Sequence, residues 1–234
     1  MKKFLLLSLV LITTGLYSKA DSWGLGFNSL PPTGTKSSDY LIEHDAYYIG
    51  EGKNLYLTFD AGYENGYTES ILDTLKKLNV PATFFLVGNY IEKETSLIAR
   101  MDQEGHIIGN HTVNHKDMAL LSKEEFTAEI KGLEEIYPTI GKYYRPPKGT
   151  FNEQNLKWAK ELGYKTIFWS LAYVDWHDDA QPTKEYAMEK LVKRLHDGAI
   201  ILLHNTSKTN MEILESFIIE ARSLGYEFKS LDEL

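Results

Sequence analysis

The sequence predicts a single α/β domain built as a distorted (β/α) barrel of about seven parallel strands. Three observations predict it. Short apolar strand patterns alternate with helical ones from residue 51 to residue 234, and this is the signature of βαβ units. So many strands in so short a chain suit a closing barrel better than an open sheet. Ionisable residues recur where the strand patterns end, the rim at which barrel enzymes keep their chemistry.

Taken in order, residues 1–20, "MKKFLLLSLVLITTGLYSKA", read as a signal peptide. Lys2 and Lys3 form a charged start, residues 4–16 an apolar stretch, and Ser18-Lys19-Ala20 a small-residue cleavage site. The chain is therefore expected to be exported, with an uncleaved N-terminal anchor as the alternative. Residues 21–50 are aromatic and punctuated by Gly and Pro, and read as irregular coil wrapping the domain. The strand patterns fall at 54–60, 82–87, 106–110, 142–145, 164–170, 198–204 and 225–229. Between them, Ile71, Leu72, Leu75 and Leu78 share a helical face, as do Phe126, Ile130 and Leu133. Leu191, Val192 and Leu195 form another, and Ile213, Leu214, Phe217, Ile218, Ala221 and Leu224 the longest stripe. Ser122 and Glu125 have the spacing of a capping box. No internal repeat or linker divides the region 51–234.

Composition narrows the function. The chain has no cysteine, which excludes disulfides, thiol catalysis and thiolate metal sites. Its net charge is −8, and the first twenty residues contribute three lysines and no acid, so cleavage would leave a more acidic protein. Such a surface is a poor match for nucleic acid or anionic membrane. No stable protein partner is implied.

Strand phase locates the chemistry. In "NLYLTFD", Leu55, Leu57 and Phe59 point toward the helices, and Tyr56, Thr58 and Asp60 toward the barrel axis. His204 ends the strand "AIILLH" in the phase of Ile200 and Leu202. Asp60, His111, His115, Arg145, Asp175 and His204 thus follow five different strand patterns onto one rim. His111 and His115, in "HTVNH", have the spacing that puts two imidazoles on one face of a helical turn, able to hold a metal. Arg145 is fixed by the two prolines of "YYRPPKG" and can orient a carboxylate, with Asp60 the candidate. Asp175 beside His204 would raise the imidazole pKa and keep it an acid. Trp176 is either a wall for a sugar ring or part of the core, and Trp169 reads as core. His44, His106, His177 and His196 read as structural or surface residues, and Asp178 and Asp179 as solvated acids.

The segments "TFDAG", "HTVNH", "RPPKG", "VDW" and "LLH" occur in the order and spacing of the five motifs of the polysaccharide deacetylases. The region from about residue 50 onward therefore resembles that NodB-homology group of carbohydrate esterases. "SWGLGF", "DAYYIG" and "YENGYT" resemble more narrowly the spore-cortex branch that forms muramic δ-lactam in peptidoglycan. The resemblance implies a distorted barrel and hydrolytic de-N-acetylation, with N-acetylmuramic acid of a peptidoglycan glycan strand as substrate. By the same matching, Asp60 is the general base, Arg145 its orienter, His204 the general acid and Asp175 its partner. His111 and His115 match two ligands of a divalent metal of the zinc, cobalt or manganese class. Tyr63 and Asn65, with Trp176, fall on the substrate side. One position departs from the pattern: the family carries a carboxylate ligand where this chain has Ala61, so a weakly held metal is expected, unless Glu64 or Asn65 replaces that ligand.

Three other readings compete: a deacetylase of chitin-like polymer or xylan, a glycosidase using Asp60 and Asp175 as its carboxylate pair, and a non-catalytic wall-binding protein derived from a deacetylase.

Overall fold

The computed structural model of the chain describes residues 19–234; most of the expected leader lies outside the described residues. In chain order the elements are β1 (Asp21–Ser22), β2 (Leu25–Gly26), β3 (Thr33–Gly34), α1 (Ser38–Glu43), β4 (Ala46–Tyr47), β5 (Asn54–Ala61) and α2 (Thr68–Leu78). Next come β6 (Ala82–Leu86), α3 (Gly88–Lys93), α4 (Thr95–Gln103), β7 (Ile107–Asn110), α5 (Lys123–Ile136), β8 (Tyr143–Tyr144) and β9 (Thr150–Phe151). The last are α6 (Glu153–Glu161), β10 (Lys165–Ile167), β11 (Leu171–Ala172), α7 (Lys184–Lys193), β12 (Ile200–His204), α8 (Lys208–Ser223) and β13 (Glu227–Phe228). Among the described residues no helix is long and apolar enough to cross a membrane.

One curled parallel sheet runs β11-β12-β5-β6-β7-β8-β10-β4, with β13 pairing beside β5. This is the expected distorted barrel. Its seam is made by one stretch of chain changing neighbours. Residues 165–167 pair with β8 and β4, and 171–172 then pair with β12. The expected strand at 164–170 is therefore shorter, 165–167, and the crossing that follows leads to a second short piece at 171–172. At the opposite end of the seam, Ile49 bridges Ala199, and Gly50 and Gly198 exchange backbone hydrogen bonds with their neighbours across it.

The strand phase matches the core layers. Leu55, Leu57 and Phe59 lie in the large cluster under the helices, together with Ile71, Leu72 and Leu75 of α2 and Ile213, Leu214 and Phe217 of α8. Tyr56 lies in the barrel interior with Phe85, Tyr143, Ile167 and Ile200, closed from below by Leu231. The capping box forms: Ser122 accepts from the Glu125 amide and Glu125 bonds back to the Ser122 amide.

The segment 21–50, expected to be irregular, is built into the fold. β1 pairs with β9, β4 joins the main sheet, and α1 buries Leu41. Trp23 is stacked on Phe168 with centroids 4.5 Å apart, and its indole N–H donates to the Trp169 carbonyl. Elements of two residues are too short for periodicity to show; long-range pairing creates them.

Two glycines test the seam. Gly198 has φ +76°, and a Cβ there would meet the Gly50 carbonyl oxygen at 2.1 Å. Gly225 has φ +85° but open space around it. Gly198→Ala is expected to cost roughly 3 kcal/mol, backbone strain plus overpacking, against about 1 kcal/mol for Gly225→Ala. Urea unfolding midpoints measure both, and equal losses would show that the seam is not tightly packed.

Candidate active site

Asp60 ends the axis-facing column of β5, above Thr58 and Tyr56. In the strand register it stands beside His204 of β12. Both belong to a cleft of about 670 Å³ that also holds Ala61, Tyr63, His111, His115, Lys148, Trp169, Trp176 and Thr206. The six predicted ionisable residues therefore converge, though Arg145 and Asp175 stand behind the cleft wall.

Arg145 is fully buried inside the barrel. Its Nη1 donates to Asp60 Oδ1 at 2.7 Å and to Thr58 Oγ1 at 2.9 Å. Its Nε and Nη2 donate to the carbonyls of Ile167 and Phe168, at 3.0 and 3.2 Å. Those carbonyls lie at the end of β10 and the start of the crossing to β11. A buried guanidinium demands partners on every edge, and this break in the barrel wall supplies them. Phe85 lies under the guanidinium, 4.2 Å from ring centroid to Cζ.

Asp175 is 1% exposed. Its Oδ1 accepts from His204 Nδ1 at 2.7 Å, and its Oδ2 from the His204 backbone N–H at 2.8 Å and Asn210 Nδ2 at 2.6 Å. Both oxygens are occupied away from the cleft. Asp60 and Asp175 are thus no carboxylate pair for a glycosidase.

The charges follow the geometry. Burial would raise the Asp60 carboxyl, but Arg145 above all, helped by His204, outweighs it and holds the group below its ordinary value. Burial lowers the His204 imidazole, but Asp175, helped by Asp60, outweighs that and sets it above its ordinary value. The site therefore favours an ionised base beside an acid that holds its proton more firmly than a free imidazole does.

The histidine pair comes together by a different route from the one expected. Residues 111–117 form no helical turn. Thr112 and His115 have φ of 70° and 53°, both left-handed. Asn110 Oδ1 accepts from the Thr112 amide, and Thr112 Oγ1 from the His115 amide. Glu129 of α5 accepts from the Asn114 amide and side chain. The result places the two imidazoles edge to face, 4.9 Å between centroids. His111 Nδ1–H donates to the Arg145 carbonyl, leaving Nε2 as the free nitrogen, 3.5 Å from Asp60 Oδ2. Burial pushes His111 down to about 4 and His115 down as well, so both rings are neutral at pH 7.

Neutral imidazoles suit a divalent metal of the zinc class. A third protein ligand is missing. Among the described residues no three His, Cys, Asp or Glu side chains are grouped to hold an ion. Ala61 has no donor. Glu64 does not replace it: its carboxylate accepts from the amides of Gly66 and Tyr67 and from the hydroxyls of Thr68 and Tyr90, capping the start of α2. Asn65, expected on the substrate side, donates its side-chain amide to the Thr206 carbonyl and does not line the cleft.

Tyr63 does line it, and its hydroxyl bonds Asp178 across the cleft mouth. Trp176 is 49% exposed, with its ring edge against His204, a wall and not core. Trp169 is half-buried and faces both the cleft and the Trp23 cluster. Sequence reasoning missed Thr58 and Asn210. The signal for Asn210 was a polar residue on the buried face of α8.

Asp175→Asn should lower the pKa of His204, because the largest influence raising it is removed while burial remains. NMR titration of the His204 ring reads this directly, and the alkaline limb of any activity profile should move to lower pH with it. An unchanged titration would show that Asp175 does not set the imidazole.

Comparison with known proteins agrees with this architecture. The sequence model for polysaccharide deacetylase matches residues 49–167. The peptidoglycan-N-acetylmuramic acid deacetylase PdaA of Bacillus subtilis is 45% identical over 223 residues, 91% of this chain and 85% of its own. The solved structure of Bacillus subtilis PdaA, described as a family 4 carbohydrate esterase, matches with TM-score 0.86 at 43% identity, over 92% of this chain and 97% of that one. A peptidoglycan-N-acetylglucosamine deacetylase of Bacillus cereus is 34% identical over 186 residues, 76% of this chain and 66% of its own. With its sequence and its curled sheet both matched, the chain belongs to the polysaccharide deacetylase family.

Proposed function

We propose that the protein hydrolyses the N-acetyl group of N-acetylmuramic acid in peptidoglycan glycan strands from which the peptide has been removed. The observation that carries the chemistry is the cleft's paired arrangement: Asp60 held by Arg145 on one strand, and His204 held by Asp175 on the next. The muramic assignment is supported by the 45% identity with PdaA, against 34% with the N-acetylglucosamine enzyme. Export across the membrane and a place in spore-cortex δ-lactam formation belong to the same proposal.

In this mechanism Asp60 removes a proton from water, which attacks the acetamide carbonyl carbon. Arg145 keeps the base ionised and pointed along the axis. His204 protonates the leaving nitrogen, the C–N bond breaks, and acetate departs from a free amine. Each proton transfer of this kind contributes roughly 10²- to 10⁴-fold. A divalent metal held by His111 and His115 would supply polarisation of the carbonyl oxygen. Trp176 offers the exposed ring for stacking a sugar.

A decayed, glycan-binding relative is the second reading, motivated by Ala61. Against it stand both proton-transfer pairs, intact to their supporting Thr58 and Asn210.

Mass spectrometry of peptide-stripped glycan strands after incubation should show loss of acetyl from muramic acid. Asp60→Asn and His204→Ala should each reduce turnover by about 10²-fold or more with the fold retained. The pH profile should be bell-shaped, with its acid limb below the usual carboxylate range and its alkaline limb above the usual imidazole range. Deacetylation of chitin oligomers or xylan with muramic strands untouched would overturn the substrate; glycan binding without acetate release would establish the second reading.

The metal expectation is separately testable. Loss of even a supporting residue around a metal commonly costs 10- to 100-fold in affinity, so lack of a carboxylate ligand should cost at least that. Calorimetric titration with zinc, cobalt and manganese should find weak binding to the protein and markedly tighter binding to Ala61→Asp. Equal affinities would mean that position 61 does not face the ion.

A further inference from the structure

We propose that Lys148 is the specificity residue that recognises the free lactyl carboxylate of muramic acid. This rests on the substrate reading above and deepens it.

The backbone around Lys148 is fixed at both ends. Arg145 is locked inside the barrel, Pro146 and Pro147 follow it, and the Gly149 carbonyl accepts from the Trp23 amide of the N-terminal segment. Within this frame Lys148 is left-handed, φ 57° and ψ 7°. That conformation favours glycine or asparagine, so lysine is held there at a cost. Its ammonium group forms no ion pair or hydrogen bond among the described residues. Among the described side chains lining the cleft, it is the one permanent cation. The cleft's other charged groups are committed, Asp60 to Arg145 and His204 to Asp175. Lys148 lines the same cleft as Asp60, His111 and His115.

The chemistry of the sugar matches this placement. The acetamide of N-acetylmuramic acid is on C2, and the lactyl ether is on the adjacent C3. A ring whose acetamide meets Asp60 and His204 therefore carries the lactyl carboxylate within a few bonds of the reacting carbon. When a stem peptide is attached, that carboxylate is an amide and has no charge. When the peptide is gone, it is an anion for a flexible ammonium. Position 61 contributes to the same end, because a carboxylate there would share the cleft with the ligand's own and compete for the cation.

The test compares kcat and KM on peptide-free glycan strands and on the same strands with their lactyl carboxyls converted to methyl amides. The wild type should prefer the free acid by about tenfold, the worth of one charge-assisted hydrogen bond. In Lys148→Met the ratio should fall to near one, with the loss in KM. Lys148→Asn, suited to the left-handed backbone, should show the same ratio and so separates charge from strain. Lys148→Arg should retain the preference. A preference that survives in Met and Asn variants, or a parallel loss on both strands, would overturn the role of Lys148. A wild type inactive on both strands would instead overturn the substrate reading itself.

Discussion

The Arg145 guanidinium sets the terms for the rest of the molecule. A permanent charge in a barrel interior is tolerable only if every edge finds an acceptor. The acceptors are Asp60, Thr58 and the two carbonyls freed where the chain leaves β10 for β11. The irregular closure of the barrel and the ionised base are thus two sides of one arrangement. A regular barrel would have used those carbonyls in its ladder and left the arginine unsatisfied. The interior is layered accordingly, with aromatic and aliphatic residues around Tyr56 below, Thr58 and Arg145 at mid-height, and Asp60 at the rim.

Strain is concentrated where that rim meets the cleft. Thr112, His115 and Lys148 are all left-handed without being glycine, and each is held by polar contacts or by proline. Such residues persist only when surrounding structure over-determines them. Glu129 provides this for the histidine loop, binding Asn114 twice and Lys116 once. The second pair, Asp175 and His204, needs no strain, because a strand end and the start of α8 present Asn210 to it directly.

Much of this was readable in the chain. Asp60 and His204 could be placed on one rim in advance because two-residue alternation fixes which way a strand's last side chain points; Arg145 and Asp175 were assigned to them by the chemistry of a guanidinium beside a carboxylate and a carboxylate beside an imidazole. The barrel followed from the alternation of strand patterns with helical ones. The histidine spacing predicted that two imidazoles would meet but assigned the wrong backbone, since nothing about Thr or His announces a positive φ. Glu64 and Asn65 were plausible ligands by proximity, yet a carboxylate next to a helix start is claimed by its amides. The segment 21–50 was unreadable because β1 and β4 exist only through partners some 120 to 130 residues away, and the β2–β3 pairing is two residues long, too short for alternation to show.

That last segment bears on where the protein can be cut. Trp23 covers Phe168, Phe151 and Tyr48, and β1 completes the edge of β9. A recombinant fragment beginning at residue 49, where the family match starts, would lack Trp23 and Tyr48 and bare an aromatic face beside an open strand edge. Surfaces of that kind drive self-association. It would also remove the amide that holds the Gly149 carbonyl, one residue from Lys148. The smallest well-behaved unit therefore begins before Trp23, and a fragment drawn to the family boundary would be sticky as well as loosened at its rim.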